Sequence, residues 1–374
     1  MSVGGPAKHV INLTKGLNKE GFETELISGQ PNENEDNLFE LASTNNIQVK
    51  LLKSMNRAIS PLKDLFSLIY IIKEIKRFKP DIVHTHTSKA GILGRFAAFI
   101  CKVPAIYHTY HGHIFTGYLS RLASSIIIAI ERIFAVFSTN LISLTPKLTN
   151  EIKLILRPRQ PEKIVIIPLG LELKSNLQTP RRKKIWRTAA GFTDQDFIVG
   201  IIARLVPIKN HSLIINSMTK LCKTFPNLHL AIIGDGELKN ELESLSEKLN
   251  LTKNVHFFGI IKNLDDIYSD LDLLILCSKN EGTPVAIIEA LSSGCPVAST
   301  DVGGVSEVLE NWKLGRKLSS EPENFTRNLS KAIFDIINNK YEEYPTDETR
   351  KRICDYYSVE KLVNNIKKLY LSHS

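Results

Sequence analysis

Short apolar runs alternate with longer amphipathic segments along most of the chain. Residues 81–86, 105–109 and 271–277 are rich in apolar, often branched side chains, as is typical of buried strands. Segments such as residues 62–78 have apolar positions three and four apart, which predicts helices that bury one face. This βα alternation predicts an α/β fold built on parallel, doubly wound sheets.

The βα alternation occurs in two series. Residues 174–196 are polar and separate the first series from a second one that begins at Phe197. A chain of 374 residues is long enough for two domains. We therefore predict an N-terminal domain over residues 1–168 and a C-terminal domain over residues 169–356.

The segment from Glu281 to Glu289 contains the densest candidate chemistry. It follows the apolar run 271–277 and enters a predicted helix over residues 286–291, with Pro284 near the helix start. In an open α/β sheet, ligands bind at the carboxyl ends of strands, and the first-turn N–H groups of a helix suit phosphate. Two carboxylates beside a phosphate site are suited to accept hydrogen bonds from hydroxyl groups on either side of the phosphate. A ligand with hydroxyl groups on both sides of a diphosphate is a nucleotide-sugar.

Two glutamates at this spacing, between a strand and a helix, resemble the signature of the retaining glycosyltransferases of family 4. Residues 201–210, 232–236 and 301–307 resemble three further segments of that family, in the family's order. The similarity extends over nearly the whole chain. It implies the GT-B architecture, in which two Rossmann-like domains face each other.

The resemblance also implies roles for residues of the C-terminal domain. Arg204 and Lys209 would neutralise the donor diphosphate. This role also suits their chemistry, because Arg can bind phosphate through two N–H groups and Lys supplies a point charge. Glu281 would contact the transferred sugar and Glu289 the ribose. The segment between them, Gly282, Thr283, Pro284 and Val285, would hold sugar and phosphate through its amides. Gly303-Gly304 would close the nucleotide side or serve only as a tight turn.

In the N-terminal domain, His111 matches the family's active-site histidine, so closure of the two domains would bring it to the sugar held by Glu281. Gly5, in a Gly-Gly turn, would lie close to the donor phosphates. In the family a strand precedes this turn, and that first strand is missing here. We therefore expect a wrongly assigned start, a fragment or a damaged domain. The last helix, within residues 357–374, would pack back on the first domain.

Two patterns suggest a metal. His84, His86, His108, His111 and His113 lie within a short stretch, but histidines at strand ends often only bond to loops. Asp270-Leu-Asp272 matches a pattern used elsewhere for divalent ions, yet it stands at the entry of a strand, away from the ligand edge. We predict no metal and no cofactor.

The net charge of +9 is concentrated in residues 1–187, with 27 Lys and Arg against 14 Asp and Glu. A basic half indicates an anionic partner, but no zinc-finger spacing or RNP-like strand supports nucleic acid. In the predicted helix 119–137, basic and apolar residues interleave, which favours a membrane surface or a lipid diphosphate. Lys89 would meet an anionic acceptor or be a solvated lysine. Arg95 would form a charged edge of its helix.

The compartment follows from cysteines and hydropathy. Five scattered cysteines are typical of reduced thiols in the cytosol. No apolar run reaches the roughly 18 residues that span a bilayer, and no signal peptide is recognisable. We expect a cytoplasmic protein, peripheral on the inner face of the plasma membrane.

The predicted activity is transfer of a hexosyl or N-acetylhexosaminyl group from a nucleotide-sugar, with UDP the most common nucleotide, to a lipid-linked or saccharide acceptor. The resemblance implies retention of configuration and bacterial cell-surface polysaccharide synthesis. One alternative is a nucleotide-sugar epimerase of similar shape, and another is a truncated, non-catalytic binding protein. An NAD oxidoreductase is disfavoured because no Gly-x-Gly-x-x-Gly follows a strand.

Overall fold

The computed structural model describes residues 5–30, 39–56, 60–112, 121–181, 184–261 and 263–372. The chain forms two compact units. The first comprises residues 1–172 and 357–374, and the second residues 173–356. The change from the first unit to the second falls four residues later than the predicted boundary.

The first unit contains two parallel sheets, one of two strands and one of four in the order β3-β4-β5-β6. The strands are β1 (Leu26–Gly29), β2 (Val49–Leu52), β3 (Ile82–His86), β4 (Ala105–Tyr110), β5 (Asn140–Ser143) and β6 (Ile164–Ile166). Its first six helices are α1 (Gly5–Lys19), α2 (Phe39–Thr44), α3 (Pro61–Phe78), α4 (Ser88–Ile100), α5 (Arg121–Phe137) and α6 (Pro146–Leu156). His86 lies opposite Thr109, so β3 and β4 end at the same sheet edge.

The second unit is built on one six-stranded parallel sheet in the order β12-β11-β10-β7-β8-β9. Its strands are β7 (Phe197–Ile202), β8 (Leu228–Ile233), β9 (Val255–Gly259), β10 (Leu273–Leu276), β11 (Val297–Thr300) and β12 (Arg316–Leu318). The strand order reverses between β7 and β10, which are neighbours. Such a switch point opens a crevice at the carboxyl ends of the strands.

Nine helices are described in the second unit. They are α7 (Lys174–Gln178), α8 (Ile185–Ala189), α9 (His211–Thr224), α10 (Lys239–Lys248), α11 (Asp265–Asp270), α12 (Val285–Ser292), α13 (Val305–Trp312), α14 (Pro322–Ile337) and α15 (Asp347–Tyr356). The four residues of β10 are all buried, as the continuous apolar run predicts for an inner parallel strand.

The last helix, α16 (Val359–Leu371), belongs to the first unit. The Ser358 side chain caps it by accepting a hydrogen bond from the Lys361 N–H. Its buried face packs into one apolar core with α1, where a Cβ on Gly16 would lie 2.2 Å from Val363. A small residue is therefore required where the two helices cross.

One local prediction for the first unit is wrong. Arg95 was predicted as a charged edge, yet it is only 1% exposed and donates from Nη2 to Glu131 Oε1 at 2.7 Å. Glu131 also accepts a hydrogen bond from the Tyr110 hydroxyl at 2.7 Å. Helical periodicity cannot reveal such a buried pair, because its two partners lie on different helices, α4 and α5, and the hydrogen bonding of Glu131 is completed by Tyr110 on β4.

Candidate active site

The carboxyl ends of β7 and β10 carry the main charged residues of the second unit. Lys209 closes a 3₁₀ turn, Pro207–Lys209, after β7, and Glu281 follows β10. The Lys209 Nζ lies 2.6 Å from Glu281 Oε1, although 72 residues separate them in the chain. The Glu281 side chain is 8% exposed and that of Lys209 is 20% exposed. The switch point therefore holds a partly buried ion pair.

Hydrogen bonds fix the two loops that carry this pair. The Ser278 hydroxyl donates to Glu281 Oε1 at 2.6 Å, the same oxygen that Lys209 contacts. The Lys279 N–H donates to the Ile208 carbonyl at 2.8 Å, which ties the loop after β10 to the turn after β7. The ion pair is thus held by backbone as well as by charge.

Gly303 and Gly304 pack directly against the Glu281 loop. The Gly304 N–H donates to the carbonyls of Glu281 at 3.2 Å and Gly282 at 3.1 Å. A Cβ on Gly303 would lie 1.8 Å from the Glu281 carbonyl oxygen, and Gly303 has a φ of +54°. Glycine is therefore required here for close backbone approach and for its conformation. Gly303 and Gly304 therefore position the Glu281 loop, whether or not they also contact a nucleotide.

Glu289 lies one turn into α12, which begins at Val285 directly after Pro284. Its Oε2 accepts a hydrogen bond from the Tyr268 hydroxyl at 2.7 Å. Burial, reinforced by the Glu289 charge, raises the pKa of Tyr268 well above its usual value, so the phenol stays a donor. Sequence reasoning missed Tyr268, which carries no motif signal.

Arg204 is exposed, and its segment is supported by the turn after β8. The Ala203 N–H donates to the Ile233 carbonyl at 3.1 Å, and the Leu205 N–H donates to the Asp235 carbonyl at 2.9 Å. A Cβ on Gly234 would lie 2.0 Å from the Ala203 carbonyl oxygen. The guanidinium is free to reach a ligand while its backbone is held.

His211, two residues after Lys209, is a further residue that sequence reasoning missed. It is fully buried, and neither ring nitrogen has a hydrogen-bond partner among the described residues. Burial, together with the nearby Lys209 charge, lowers the pKa of His211 to about 4. The imidazole is therefore neutral and adds no charge beside the ion pair.

In the first unit, three histidines converge at the edge where β3 and β4 end. His86 is the last residue of β3, His111 follows β4, and His9 lies on α1. The His86 Nδ1 is 3.1 Å from the His111 Nε2, and the His9 ring centroid is 4.9 Å from that of His111. We call His9, His86 and His111 the histidine cluster.

The two other described histidines of this region have different partners. His84 stacks on His86, and its two nitrogens lie 2.6 Å from the Tyr370 hydroxyl and 2.7 Å from Thr109 Oγ1. His108 Nδ1 lies 2.9 Å from Thr85 Oγ1. These contacts orient the side chains that support the cluster.

Burial makes the histidine cluster uncharged. It lowers the pKa of His9 to about 4, with desolvation as the cause. Burial, and then the neighbouring imidazoles, hold the pKa values of His86 and His111 well below their usual range. At neutral pH these side chains act as hydrogen-bonding groups and not as cations.

Thr87, between His86 and α4, has a strained backbone. Its φ of 63° and ψ of 166° lie in a region that is essentially restricted to glycine. For a β-branched residue this costs about 1–3 kcal/mol, and such strain is concentrated at functional sites. The strain marks the point where the chain turns away after placing His86.

The remaining predicted residues of this unit are placed as follows. Gly5 is the first residue of α1, whereas Gly4 and His113 lie outside the described residues. Lys89 forms an ion pair with Asp64 at 2.5 Å and is partly buried. It is therefore not a simply solvated lysine.

Two family models together match nearly the whole chain. A family model described as glycosyl transferases group 1 matches residues 182–356, and one described as glycosyltransferase family 4 matches residues 3–175. The chain is also 30% identical over 331 residues to an Escherichia coli UDP-Gal:alpha-D-GlcNAc-diphosphoundecaprenol alpha-1,3-galactosyltransferase, covering 87% of this chain and 84% of that one. This chain belongs to the family 4 glycosyltransferases.

Two further similarities agree with this assignment. A capsular polysaccharide biosynthesis glycosyltransferase of Staphylococcus aureus, CapM, is 25% identical, over 84% of this chain and 83% of that one. The crystal structure of Anabaena HepE in complex with UDP and glucose superposes with a TM-score of 0.78 at 19% identity, covering 99% of this chain and 96% of that one. The predicted GT-B fold of two Rossmann-like domains is confirmed.

The Asp-x-Asp pattern of this glycosyltransferase has a structural role. Asp270 accepts hydrogen bonds from the backbone N–H groups of Lys184 and Arg187 at 2.6 Å and 3.1 Å. Asp272 Oδ2 accepts from Arg187 Nη2 at 2.5 Å and from the Ile198 N–H at 2.8 Å. These bonds, and a cavity of about 560 Å³ beside them, lie at the edge of the sheet opposite the Lys209–Glu281 pair.

Proposed function

We propose that this glycosyltransferase transfers a hexosyl or N-acetylhexosaminyl group from a UDP-sugar to a lipid-diphosphate-linked acceptor, with retention of configuration, in bacterial cell-surface polysaccharide synthesis. The observation that carries the proposal is the Lys209–Glu281 ion pair at the switch point of the six-stranded sheet. It combines a cation for a diphosphate with a carboxylate for a sugar hydroxyl beside the N-terminus of α12.

Each donor contact has a candidate residue. Arg204, Lys209 and the first-turn N–H groups of α12 stabilise the negative charge that grows on the leaving diphosphate. Gly282, Thr283 and Val285 supply backbone N–H groups beside them, whereas Pro284 has none. Glu281 accepts a hydrogen bond from the sugar, and Glu289 accepts one from the ribose.

The reaction needs no protein nucleophile in this proposal. The bond between the anomeric carbon and the diphosphate oxygen breaks, and the acceptor oxygen bonds to the same face of that carbon. The acceptor proton passes to an oxygen of the departing diphosphate. The ion pair with Lys209 and the hydrogen bond from Ser278 favour Glu281 as a positioning group over a nucleophile.

His111 is the candidate for a hydrogen bond to a donor hydroxyl. Because burial keeps its imidazole neutral, it can donate from one nitrogen and accept at the other. This role needs orientation but no proton transfer to the sugar. We propose that no divalent ion takes part in transfer, since the cations named above serve the diphosphate.

The choice of donor and acceptor is supported by relatives. The Escherichia coli relative is named for UDP-Gal and for a diphosphoundecaprenol-linked acceptor, and the Anabaena structure contains UDP and glucose. The basic excess of the first half of the chain agrees with an anionic lipid diphosphate.

Three neighbouring helices of the first unit support a lipid acceptor. They expose large apolar side chains: Leu62, Leu65, Phe66 and Ile69 on α3, Phe96, Phe99 and Ile100 on α4, and Ile126, Ile133, Val136 and Phe137 on α5. We call this set the apolar face. The Phe99 and Phe137 rings have centroids 4.2 Å apart and are tilted by 39°, and α3 and α4 share one core, so the three helices are neighbours.

The apolar face supports peripheral attachment to a bilayer. Apolar patches of this kind are uncommon on monomers and mark interaction surfaces. Exposed Lys63 and Lys102 lie close in sequence to these side chains and suit anionic lipid headgroups. Among the residues that the structure describes, none of the helices combines the length and apolar character needed to cross a bilayer. We place the enzyme on the cytoplasmic face of the plasma membrane.

The donor site is tested by thermal shift with UDP, GDP, ADP and CMP in the presence of EDTA. A ligand at about 100 times its dissociation constant adds roughly 2.7 kcal/mol of stability. We expect a shift with UDP that Lys209→Ala abolishes and Glu289→Gln reduces, while Lys223→Ala, an exposed lysine on α9, leaves it unchanged. Clean unfolding without any shift would instead support a non-catalytic binding protein.

The reaction is tested by incubating a UDP-sugar with and without a prenyl-diphosphate-linked acceptor. We expect transfer only with acceptor, and an NMR coupling constant that reports the same anomeric configuration in product and donor. Isomerised UDP-sugar without acceptor would establish the epimerase alternative. Inverted product would overturn the proposed retention.

Membrane attachment is tested by sedimentation with vesicles containing about 30% anionic lipid. We expect binding that Ile69→Ser on the apolar face weakens. Ile260→Ser in the second unit is the matched control, because the exposed fractions are 54% and 58%. Equal binding of both variants would exclude the apolar face as the membrane surface.

A further inference from the structure

The histidine cluster has the composition of a metal site that the proposed function does not use. One nitrogen from each of His9, His86 and His111 lies within 4.8 Å of the other two. Imidazole is the nitrogen ligand that suits Zn²⁺, Cu²⁺, Ni²⁺ and Co²⁺. The three side chains come from α1, β3 and the end of β4, so tertiary packing alone brings them together.

The distances are close to those of a tetrahedral site. Metal–nitrogen bonds of about 2.0–2.1 Å place two ligand nitrogens about 3.3 Å apart. His86 Nδ1 and His111 Nε2 are 3.1 Å apart, so this pair needs almost no rearrangement. The His9 nitrogen lies within 4.8 Å of the other two, so it must approach them by at most about 1.5 Å to reach the spacing of a tetrahedral site.

The hydrogen bonding around the cluster is incomplete. The His9 Nδ1 is buried and has no hydrogen-bond partner among the described residues. Buried polar atoms are almost always paired, so an atom of this kind calls for a ligand. Both nitrogens of His84 and the Nδ1 of His108, in contrast, have hydroxyl partners, which leaves three imidazoles and not five for a ligand.

We propose that His9, His86 and His111 form a binding site for one divalent transition-metal ion, with Zn²⁺ the expected occupant. The site contributes three neutral nitrogen ligands and leaves a fourth position for water or an anion. Because no carboxylate belongs to it, the bound ion keeps its full charge and favours an anionic fourth ligand such as phosphate.

Metal binding at this site inhibits the enzyme, a consequence that rests on the proposed function. His111 cannot contact a donor hydroxyl through a nitrogen that is bound to a metal. The ion would thus act as a reversible inhibitor, which is compatible with transfer that needs no metal. Binding itself does not depend on this role and is measured separately.

The second unit provides a matched control. His229 Nδ1 and His256 Nε2 are also 3.1 Å apart, but among the described residues no third histidine completes a metal-binding group with this pair. A site that needs only two adjacent imidazoles would form there equally well. The proposal requires that it does not.

The test is titration of the full chain, without a histidine tag and stripped with EDTA, with CoCl₂. We expect visible d–d absorption of one tetrahedral Co²⁺ per chain, displaced by one equivalent of Zn²⁺. His86→Asn and His111→Asn should each weaken binding by about 100-fold or more, since even residues that only orient ligands cost 10–100-fold. His229→Asn should not change it.

A measurement on the unaltered chain removes the dependence on variants that fold poorly. X-ray absorption at the zinc edge should show at least three imidazole nitrogens at about 2.0–2.1 Å. Sulfur at about 2.3 Å would point to the free cysteines and overturn the proposal. Fewer than three imidazoles, or loss of the cobalt signal in His229→Asn, would overturn it as well.

Zinc inhibition of transfer is then measured in the unaltered enzyme and in His9→Gln. Inhibition at one equivalent that His9→Gln relieves agrees with the site. Tight zinc binding without inhibition would keep the metal site and remove His111 from contact with the donor. An inactive chain that still binds cobalt would overturn the proposed function and not the metal site.

Discussion

The two candidate sites of this glycosyltransferase differ in how they use charge. In the second unit, Lys209 and Glu281 form an ion pair at the point where the strand order of the sheet reverses. In the first unit, burial keeps His9, His86 and His111 neutral at the end of β3 and β4. One site offers charge to a diphosphate, and the other offers lone pairs and N–H groups.

The two sites also differ in the backbone strain of the turns beside them. Gly303 occupies the left-handed conformation that lets its backbone approach the Glu281 carbonyl. The corresponding turn beside His86 places Thr87 in a conformation that glycine tolerates far better. Glycine thus avoids backbone strain in the turn beside Glu281, whereas the turn beside His86 retains it.

The largest expected effect is loss of charge at the donor site. Lys209→Ala should lower kcat about 100- to 1,000-fold, because it removes a cation aimed at the leaving diphosphate. His111→Gln should lower it less, by roughly 10-fold, because it removes one neutral hydrogen bond. Steady-state kinetics with saturating donor measure both.

Lys223→Ala serves as the control for this comparison, since it removes an exposed lysine from the same unit. Equal losses for Lys209→Ala and His111→Gln would show that charge does not distinguish the two sites. Circular dichroism of each variant separates lost chemistry from lost folding.

Gly303→Ala should destabilise the second unit by about 2–3 kcal/mol, near the upper end for a strained position. The added Cβ meets a backbone oxygen at 1.8 Å and cannot be accommodated by moving a side chain. Urea unfolding followed by tryptophan fluorescence measures the loss, because Trp186 and Trp312 both lie in this unit.

Gly191→Ala is the matched control for Gly303→Ala. Gly191 has a φ of +83° in the same unit, but nothing lies within 4 Å of an added Cβ. It should cost only the conformational part, about 1 kcal/mol. If the two variants were equally stable, the close approach of the added Cβ at Gly303 would make no contribution to the loss of stability.

Acidification should destabilise the first unit. In the folded chain the pKa of His9 is about 4 and that of His84 about 3, against about 6.5 when unfolded. The unfolded chain therefore binds more protons below pH 6.5. The contribution of each histidine to the free energy of unfolding is fully present above that pH. It falls as pH drops towards 4, by about 1.4 kcal/mol per pH unit for each of these histidines.

This loss is measured by urea unfolding at pH 7.5 and pH 5.5. Far-ultraviolet circular dichroism reports both units, whereas fluorescence of the two tryptophans reports the second. At pH 5.5 the dichroism should show an early transition that has moved further than the fluorescence transition, which itself moves because the pKa of His211 in the second unit is also lowered. Coincident transitions at both pH values would contradict the proposed difference between the units.

The smallest expected effect is a gain. Thr87→Gly should stabilise the first unit by about 1 kcal/mol, because relief of the strain at φ 63° is partly offset by the larger entropy of glycine in the unfolded chain. Thermal unfolding followed by circular dichroism measures the change. Destabilisation would mean that the Thr87 side chain contributes more than its backbone costs.

Much of the second unit could be predicted from sequence. The apolar runs of β7 and β10 identify buried parallel strands, and the polar residues that follow them must lie at one sheet edge. Glu281 and Lys209 could therefore be placed together without a structure. Tyr268 and His211 were missed because neither their type nor their spacing sets them apart.

The first unit was less predictable for a physical reason. Periodicity reports which face of an element is buried, but not which buried polar groups meet. Arg95 and Glu131 pair across two helices, and the prediction of an exposed Arg95 failed on that account. The sequence did not identify His9 as a member of the cluster, because it lies on a helix that is distant in sequence from the strand-end histidines that it contacts.

The sequence by itself thus determined the fold class, the order of elements and the placement of Lys209 and Glu281 at one sheet edge, because these depend on periodicity and on residues near strand ends. Only the tertiary structure decided the histidine cluster, the buried Arg95–Glu131 pair and the exposure of the side chains that form the apolar face. These depend on which elements become neighbours, and neighbours are set by packing of the whole unit.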